Sequence, residues 1–415
     1  MKNTVWILIF LLGTLVEICG QQADKRPLPN VIDYKGNKIL IPGDSSRINN
    51  FFNKLDSIRA SGQGQLNILH IGGSHVQAGY FSNRVRDNFD EINGLNRPSR
   101  GYIFPYTAAK TNNPSNYKVS YKGVWTTVRN VQRNREIPLG VGGIAIYTED
   151  MDAEISILLN TESEGFKWNF DRLLLIGRST DGEEAVIPIL KLDELTYLRG
   201  KYDAEAGIYQ YDLPLTCNSF TIQFVQRDSR PHRFILNGFV AENGESGVTY
   251  HSIGVNGASL TSFLECENFE SELRLLHPDM VVFGIGINDA SGTNFSPSRF
   301  IERYNRLIEM VRNVSPDCAF VFITNNDSFR RIRRRRYAVN RNGTTAREAF
   351  FEIAKENGGG VWDLFSIMGG LGSMQKWENA GLAKRDKIHF TREGYYLLGD
   401  LFYDALNNYY LNLDE

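Results

Sequence analysis

The chain has 415 residues, of which 42% are hydrophobic and 12% aromatic, enough to bury a large core and too apolar for a disordered or fibrous protein. Its 46 Lys and Arg against 48 Asp and Glu leave a formal net charge of −2, which argues against general nucleic-acid binding. Four cysteines at irregular spacing form neither a disulfide framework nor a metal-ligand pattern.

Lys2, the apolar run Val5 to Leu12, and Cys19-Gly20 ahead of the polar stretch Gln21 to Arg26 read as a secretory signal peptide, residues 1–20, with cleavage after Gly20. The expected location is therefore secreted or periplasmic. The apolar stretch is short for a membrane span, and Glu17 and Ile18 disfavour lipid attachment at Cys19. Cleavage would leave Cys217, Cys266 and Cys318, expected as small buried apolar residues.

Residues 21–48 are a polar, proline-containing extension. Phe51, Phe52, Leu55 and Ile58 then recur at helical spacing up to Gly62-Gln63-Gly64, and Leu66 to Ile71 reads as a buried strand. Two glycines and Ser74 follow, after which Ala78, Phe81, Val85 and Phe89 recur every three or four residues. Strand, tight turn and helix open a parallel α/β domain, residues 49–107 in its first part.

Between residues 108 and 247 the texture changes to short β-rich segments with turn residues between them, such as Tyr117–Tyr121, Ala153–Leu159, Arg172–Ile176 and Ser219–Val225. That spacing favours an inserted antiparallel β-sandwich. The α/β texture resumes over 248–415, with strands at Asp279–Gly286 and Ala319–Ile323. Helices are expected from Ser296-Pro297 onward, around Ala346–Glu356, and from Thr391 onward. An arginine-rich run at 330–336 follows the strand at Ala319–Ile323 and is expected as a solvated loop or helix face.

In a parallel sheet, ligands bind at the carboxyl edge of the strands. Ser74 stands past the first strand and Asn288 past the next, so both belong to that edge. A serine hydroxyl needs a base to become a nucleophile. Asp386 and His389, three residues apart before the last helix, offer an imidazole oriented by a carboxylate. Oxyanion stabilisation needs aimed donors, available from the Ser74 backbone N–H, the Gly257 backbone N–H and the Asn288 side-chain amide. Taken singly, Ser74 is also an ordinary helix cap, Gly257 an ordinary turn, and Asp386/His389 a common surface pair.

The stretches "IGGSHVQAG", "GVNGA", "GIGIND" and "DKIHFTREGY" together resemble the four blocks of the SGNH (GDSL-type) hydrolases, over roughly residues 50–107 and 248–412. With the β-rich insertion, the chain is similar to exported bacterial peptidoglycan or polysaccharide O-acetylesterases that carry a carbohydrate-binding-like sandwich. The resemblance implies a flavodoxin-like parallel sheet flanked by helices, with Ser74, His389 and Asp386 as the catalytic triad and Ser74, Gly257 and Asn288 as the oxyanion hole. It requires no cofactor or metal. The implied substrate is an acetylated polysaccharide or peptidoglycan, deacetylated through an acyl-serine. An O-acetyltransferase using the same serine, or a catalytically weakened carbohydrate-binding protein, is the alternative. One departure stands out: Gly73 occupies the position of the family's usual aspartate, where a second glycine adds backbone freedom and is expected to affect rate.

Other residues have weaker claims. His251, Arg330, Arg333 and Trp377 are candidate substrate-binding residues, His251 at the mouth of the site, the arginines toward an anionic glycan, and Trp377, like Trp125 and Trp168, toward sugar rings; structural packing is the default reading for His251 and for the three tryptophans. His75 and His70 are expected in packing, and Asp289 in a turn or a hydrogen bond near Asn288.

Overall fold

The protein is described by a computed structural model covering residues 29–92, 98–160, 168–333 and 336–413; the expected signal peptide lies outside the described residues. In chain order, β1 (Ile39–Leu40) precedes α1 (Ser46–Ser61), β2 (Gln65–Gly72), the single turn α2 (Ser74–Gln77) and α3 (Tyr80–Ile92). Strands alone follow: β3 (Gly101–Ile103), β4 (Tyr117–Lys122), β5 (Thr126–Arg129), β6 (Ile144–Thr148), β7 (Glu154–Leu159), β8 (Phe170–Ser179), β9 (Val186–Lys191), β10 (Tyr197–Arg199), β11 (Lys201–Asp203), β12 (Ile208–Cys217), β13 (Ser219–Gln226) and β14 (Phe234–Glu242). Next come β15 (Gly247–Gly254), α4 (Leu260–Leu264), α5 (Phe269–Leu273), β16 (Met280–Gly284), α6 (Pro297–Val314), β17 (Ala319–Ile323), β18 (Phe329–Arg333) and β19 (Arg336–Val339). The chain finishes with α7 (Asn342–Asn357), β20 (Gly360–Trp362), α8 (Leu364–Ile367), α9 (Ser373–Asn379) and α10 (Arg392–Leu411).

The first sheet runs β1-β20-β17-β16-β2-β15, parallel throughout except for the short edge strand β1. Among its five parallel strands the chain moves from β2 outward to β15, then back past β2 to β16, β17 and β20. This is the flavodoxin-like order, and it places the topological switch between β2 and β16. Side-chain alternation divides the sheet's faces. Ile68 and Val282 join Phe81, Trp362 and Phe402 in one buried cluster, while Leu69, Ile71, Val281 and Phe283 join another that includes α6 and α7.

That second cluster extends into the insertion. A five-stranded antiparallel sheet (β10-β9-β13-β7-β4) packs on a second one (β11-β12-β8-β14-β6-β5, with β3 also on β14). Phe220 of β13 meets Phe170 and Phe239 of the opposing sheet at ring distances of 5.7 and 5.1 Å, and Phe224 meets Phe234 at 4.9 Å. The antiparallel pairing starts before residue 108, because β3 at Gly101–Ile103 already pairs with β14. A buried polar contact ties the insertion to α5: Glu272 accepts the Val141 N–H at 3.1 Å and the Asn237 side-chain amide. Burial pushes the Glu272 carboxyl up to about 7.

Three further differences from the sequence expectations have local causes. β15 was not expected as a strand because Thr249, His251 and Ser252 interrupt its apolar pattern; all eight of its residues pair with β2. α7 starts at Asn342, a turn earlier than Ala346, and ends where Gly358 takes φ of +64°. Of the arginine run, residues 330–333 lie on β18 and Arg336 on β19, two antiparallel paired strands rather than a loop or a helix face; positions 334 and 335 lie outside the described residues. Cys266 and Cys318 are buried and Cys217 is half-buried, all as free thiols.

Candidate active site

β2 delivers the first block to the sheet's carboxyl edge. A Cβ on Gly72 would lie 2.9 Å from the Gly284 carbonyl and closer still to Val76, so only glycine lets β2 and β16 approach there. Gly73 differs: its φ is −98°, and an added Cβ would meet nothing nearer than 3.5 Å, namely Ala258 O and Asn288 Nδ2. The Gly73 carbonyl accepts the Val76 and Gln77 N–H groups at 3.2 and 3.0 Å, starting α2 with Ser74 at its head.

Ser74 Oγ lies 2.7 Å from His389 Nε2, and His389 Nδ1 lies 2.8 Å from Asp386 Oδ2. The other Asp386 oxygen accepts the backbone N–H groups of Ile388 and His389, both at 3.0 Å. Partial burial alone would raise the Asp386 carboxyl, but the His389 side chain and these two N–H groups outweigh it and hold the carboxyl well below the usual range. Such an anion keeps the Nδ1 proton on His389 and leaves Nε2 free to accept from Ser74. The His389 and Asp386 side chains are 31% and 44% exposed, so the pair is open to a substrate from solvent.

The Asp386–His389 loop is held at both ends. Lys387, at φ +59°, turns the chain back, and its ammonium bonds to Glu378 at 2.6 Å and to Gln375. Thr391 caps α10 by accepting the Gly394 N–H at 3.1 Å.

The second and third blocks are joined directly. Asn288 Nδ2 donates to the Ala258 carbonyl at 2.8 Å, which leaves its other amide hydrogen for a ligand. Gly257 takes φ of +84°, and only Val131, at 3.9 Å, comes near the space a Cβ would fill. Asp289 accepts the Leu260 N–H at 3.1 Å and so pins the start of α4 beside Gly257; burial pushes its carboxyl up to about 6. Gln77 had no signal in the sequence as part of the site. Its side chain accepts the Asn256 N–H at 2.7 Å and donates to Thr111 at 3.0 Å and to Asn112, bracing the Gly257 loop against α2.

Two of the other candidates are corrected by their surroundings. His251 does not line the mouth: it is 3% exposed, accepts the Tyr102 N–H at 3.0 Å, and is held neutral at about 3 by burial and by Arg86 and Arg100. Trp377 is fully buried and donates to the Met368 carbonyl at 3.2 Å, so it offers no face to a sugar; Trp125 and Trp168 are buried as well. Arg330 and Arg333 lie on β18. His75 bonds to the Tyr395 hydroxyl at 2.8 Å, with its ring 5.2 Å from that of His389; burial and the positive charge His389 can carry hold it neutral at about 3. His70 bonds to Tyr250 at 3.0 Å inside the core.

A family model for the GDSL-like lipase/acylhydrolase family matches residues 218–397. That stretch holds Gly257, Asn288, Asp386 and His389 but not Ser74, which reaches the same edge on β2. No curated protein matches the chain. A solved structure of a peptidoglycan O-acetylesterase superposes with a TM-score of 0.73 at 20% identity, covering 90% of this chain and 99% of that one, and establishes a shared fold. An acetyl xylan esterase (TM-score 0.31, 17% identity, 39% of this chain and 81% of that one) is similar over a smaller part. So is a lipase/acylhydrolase from Enterococcus faecalis (TM-score 0.30, 23% identity, 40% and 77%).

Proposed function

We propose that the chain is an SGNH (GDSL-type) hydrolase, an exported serine esterase that removes O-acetyl groups from an envelope or extracellular polysaccharide, a reading supported by the family model over residues 218–397 and by the shared fold. The observation that carries this reading is the continuous relay from Ser74 Oγ through His389 to Asp386, at 2.7 and 2.8 Å. In the reaction, His389 Nε2 takes the Ser74 proton as Oγ attacks the acetyl carbonyl. Asp386 stabilises the resulting imidazolium. The Ser74 and Gly257 N–H groups and the free Asn288 amide hydrogen hold the oxyanion. The imidazolium then protonates the departing sugar oxygen, leaving acetyl-Ser74, and a water deprotonated by His389 releases acetate.

The inserted sandwich supports a polymeric substrate. Lys118, Ser120, Ser156, Lys191 and Thr221 line a groove on the outer face of its five-stranded sheet. The groove's Asn113 adjoins Asn112, which bonds to Asn256 at 2.7 Å, next to Gly257. Export rests on the residue pattern of positions 1–20.

Acetate release from O-acetylated peptidoglycan and from acetylated xylan and pectin, compared with Ser74→Ala, tests the reading. The wild type is expected to release acetate from at least one glycan and the variant from none. Equal release by a folded Ser74→Ala protein would overturn it.

A further inference from the structure

The two strands that carry the arginine run are rooted beside this site. The first foot of the β18–β19 hairpin is Phe329, whose N–H donates to the Lys387 carbonyl at 3.1 Å, inside the loop that carries Asp386 and His389. Its other foot is Asn340, which donates to the Ala290 carbonyl at 3.0 Å, two residues past Asn288, and closes the hairpin by bonding to Ser328 O at 2.9 Å. The hairpin therefore rises between the two loops that hold the histidine and the oxyanion asparagine. Four residue steps of β18 carry it about 14 Å from its foot.

What it presents there is positive charge without internal compensation. Arg331, Arg333 and Arg336 are exposed, and among the described residues no carboxylate pairs with them or with Arg330. Arg333 lies directly opposite Arg336 in the ladder, a like-charge pair that destabilises a two-stranded hairpin already marginal in isolation. Lys384 and Arg385, exposed on the histidine loop, continue the same charge toward His389. In a chain of net charge −2 this is a segregated field rather than an even surface.

We infer that the β18–β19 hairpin is a docking arm for an anionic polysaccharide, whose carboxylate or phosphate groups pair with Arg331, Arg333 and Arg336 while a neighbouring O-acetyl ester enters at Ser74. The inference rests on the esterase reading and narrows its substrate to a polyanion. A glycan fits better than a membrane or nucleic acid, because an arm rooted on both active-site loops lies along whatever polymer brings an ester to the serine.

The full chain carrying Arg331→Glu, Arg333→Glu and Arg336→Glu, and a milder version with Gln at the three positions, is assayed on three substrates: acetylated alginate (a carboxylate polymer), acetylated mannan (neutral) and 4-nitrophenyl acetate. The wild type is expected to show a KM for the polyanion that rises about tenfold between low and 0.5 M salt. The Glu variant is expected to raise that KM about tenfold or more at low salt, the Gln variant less, with kcat and turnover of the small ester unchanged. Binding of non-acetylated alginate, by calorimetry, should fall in the same order, and it reads the arm even if no ester is turned over. Equal KM values for the polyanion in wild type and variants, with small-ester turnover intact, would overturn the inference. So would arginine-dependent binding to anionic vesicles or duplex DNA with none to alginate. Absence of all ester turnover alongside arginine-dependent alginate binding would instead remove the esterase reading and leave the arm standing.

Discussion

Gly72 and Gly73 are adjacent and chemically identical, yet their surroundings assign them different work. At Gly72 a Cβ would collide with the Gly284 backbone, so Gly72→Ala forces β2 away from β16 and is expected to lower stability by about 1–3 kcal/mol. At Gly73 there is room, so Gly73→Ala or Gly73→Asp is expected to fold with a melting temperature near wild type. Differential scanning fluorimetry of the three variants checks the contrast, and equal losses at 72 and 73 would contradict it. At Asp386 the carboxylate fixes the tautomer of His389, so Asp386→Asn is expected to lower kcat between about 10²- and 10⁴-fold with little change in KM. A loss appearing only in KM would assign Asp386 to substrate binding. The residue types of this relay were legible in the sequence because the chemistry demands them. The burial of His251 was not, because its place depends on Tyr102 arriving from a strand far away in the chain.

Among the elements, α5 has packing with a pH signature. Glu272 reaches from it to Val141 and Asn237 of the insertion, with its carboxyl raised to about 7 from an ordinary value near 4.5. The folded protein therefore holds a proton that the unfolded chain has already released. The stabilisation is fully present below about 4.5 and lost as pH rises through about 7. Glu272→Gln stays neutral, so its melting temperature relative to wild type is expected to climb between pH 5 and pH 8; a difference independent of pH would contradict this. β16 and β17, with unbroken apolar runs, and β2, apolar at Leu66, Ile68, Leu69 and Ile71 and bounded by glycines, were readable from sequence. β15 was not, because its polar residues are accommodated by distant partners, as where His251 accepts the Tyr102 N–H at 3.0 Å. The arginine run carries no strand-like alternation, and only the pairing of β18 with β19 in the structure reveals it as strand.

For the whole molecule, the shared core is the decisive feature. Leu69 and Phe283 of the parallel sheet and Leu175 and Phe239 of the sandwich belong to one buried cluster, and Val31–Glu415 forms a single compact unit. Thermal unfolding is therefore expected as one calorimetric transition, coincident by near- and far-ultraviolet circular dichroism. Two separated transitions would mean that insertion and hydrolase body fold independently. The interruption of an α/β chain by a β-rich segment was visible in the sequence texture. The depth of the join was not, since it depends on side chains meeting across the two halves of the fold.

The most direct test of the central claim is to treat the protein with a fluorophosphonate and map the modified residue by peptide mass spectrometry. A single adduct on Ser74, abolished by Ser74→Ala and strongly slowed by His389→Ala, is the expected result. An adduct on another residue, or no adduct on folded protein, would contradict the claim that His389 activates Ser74 as a nucleophile.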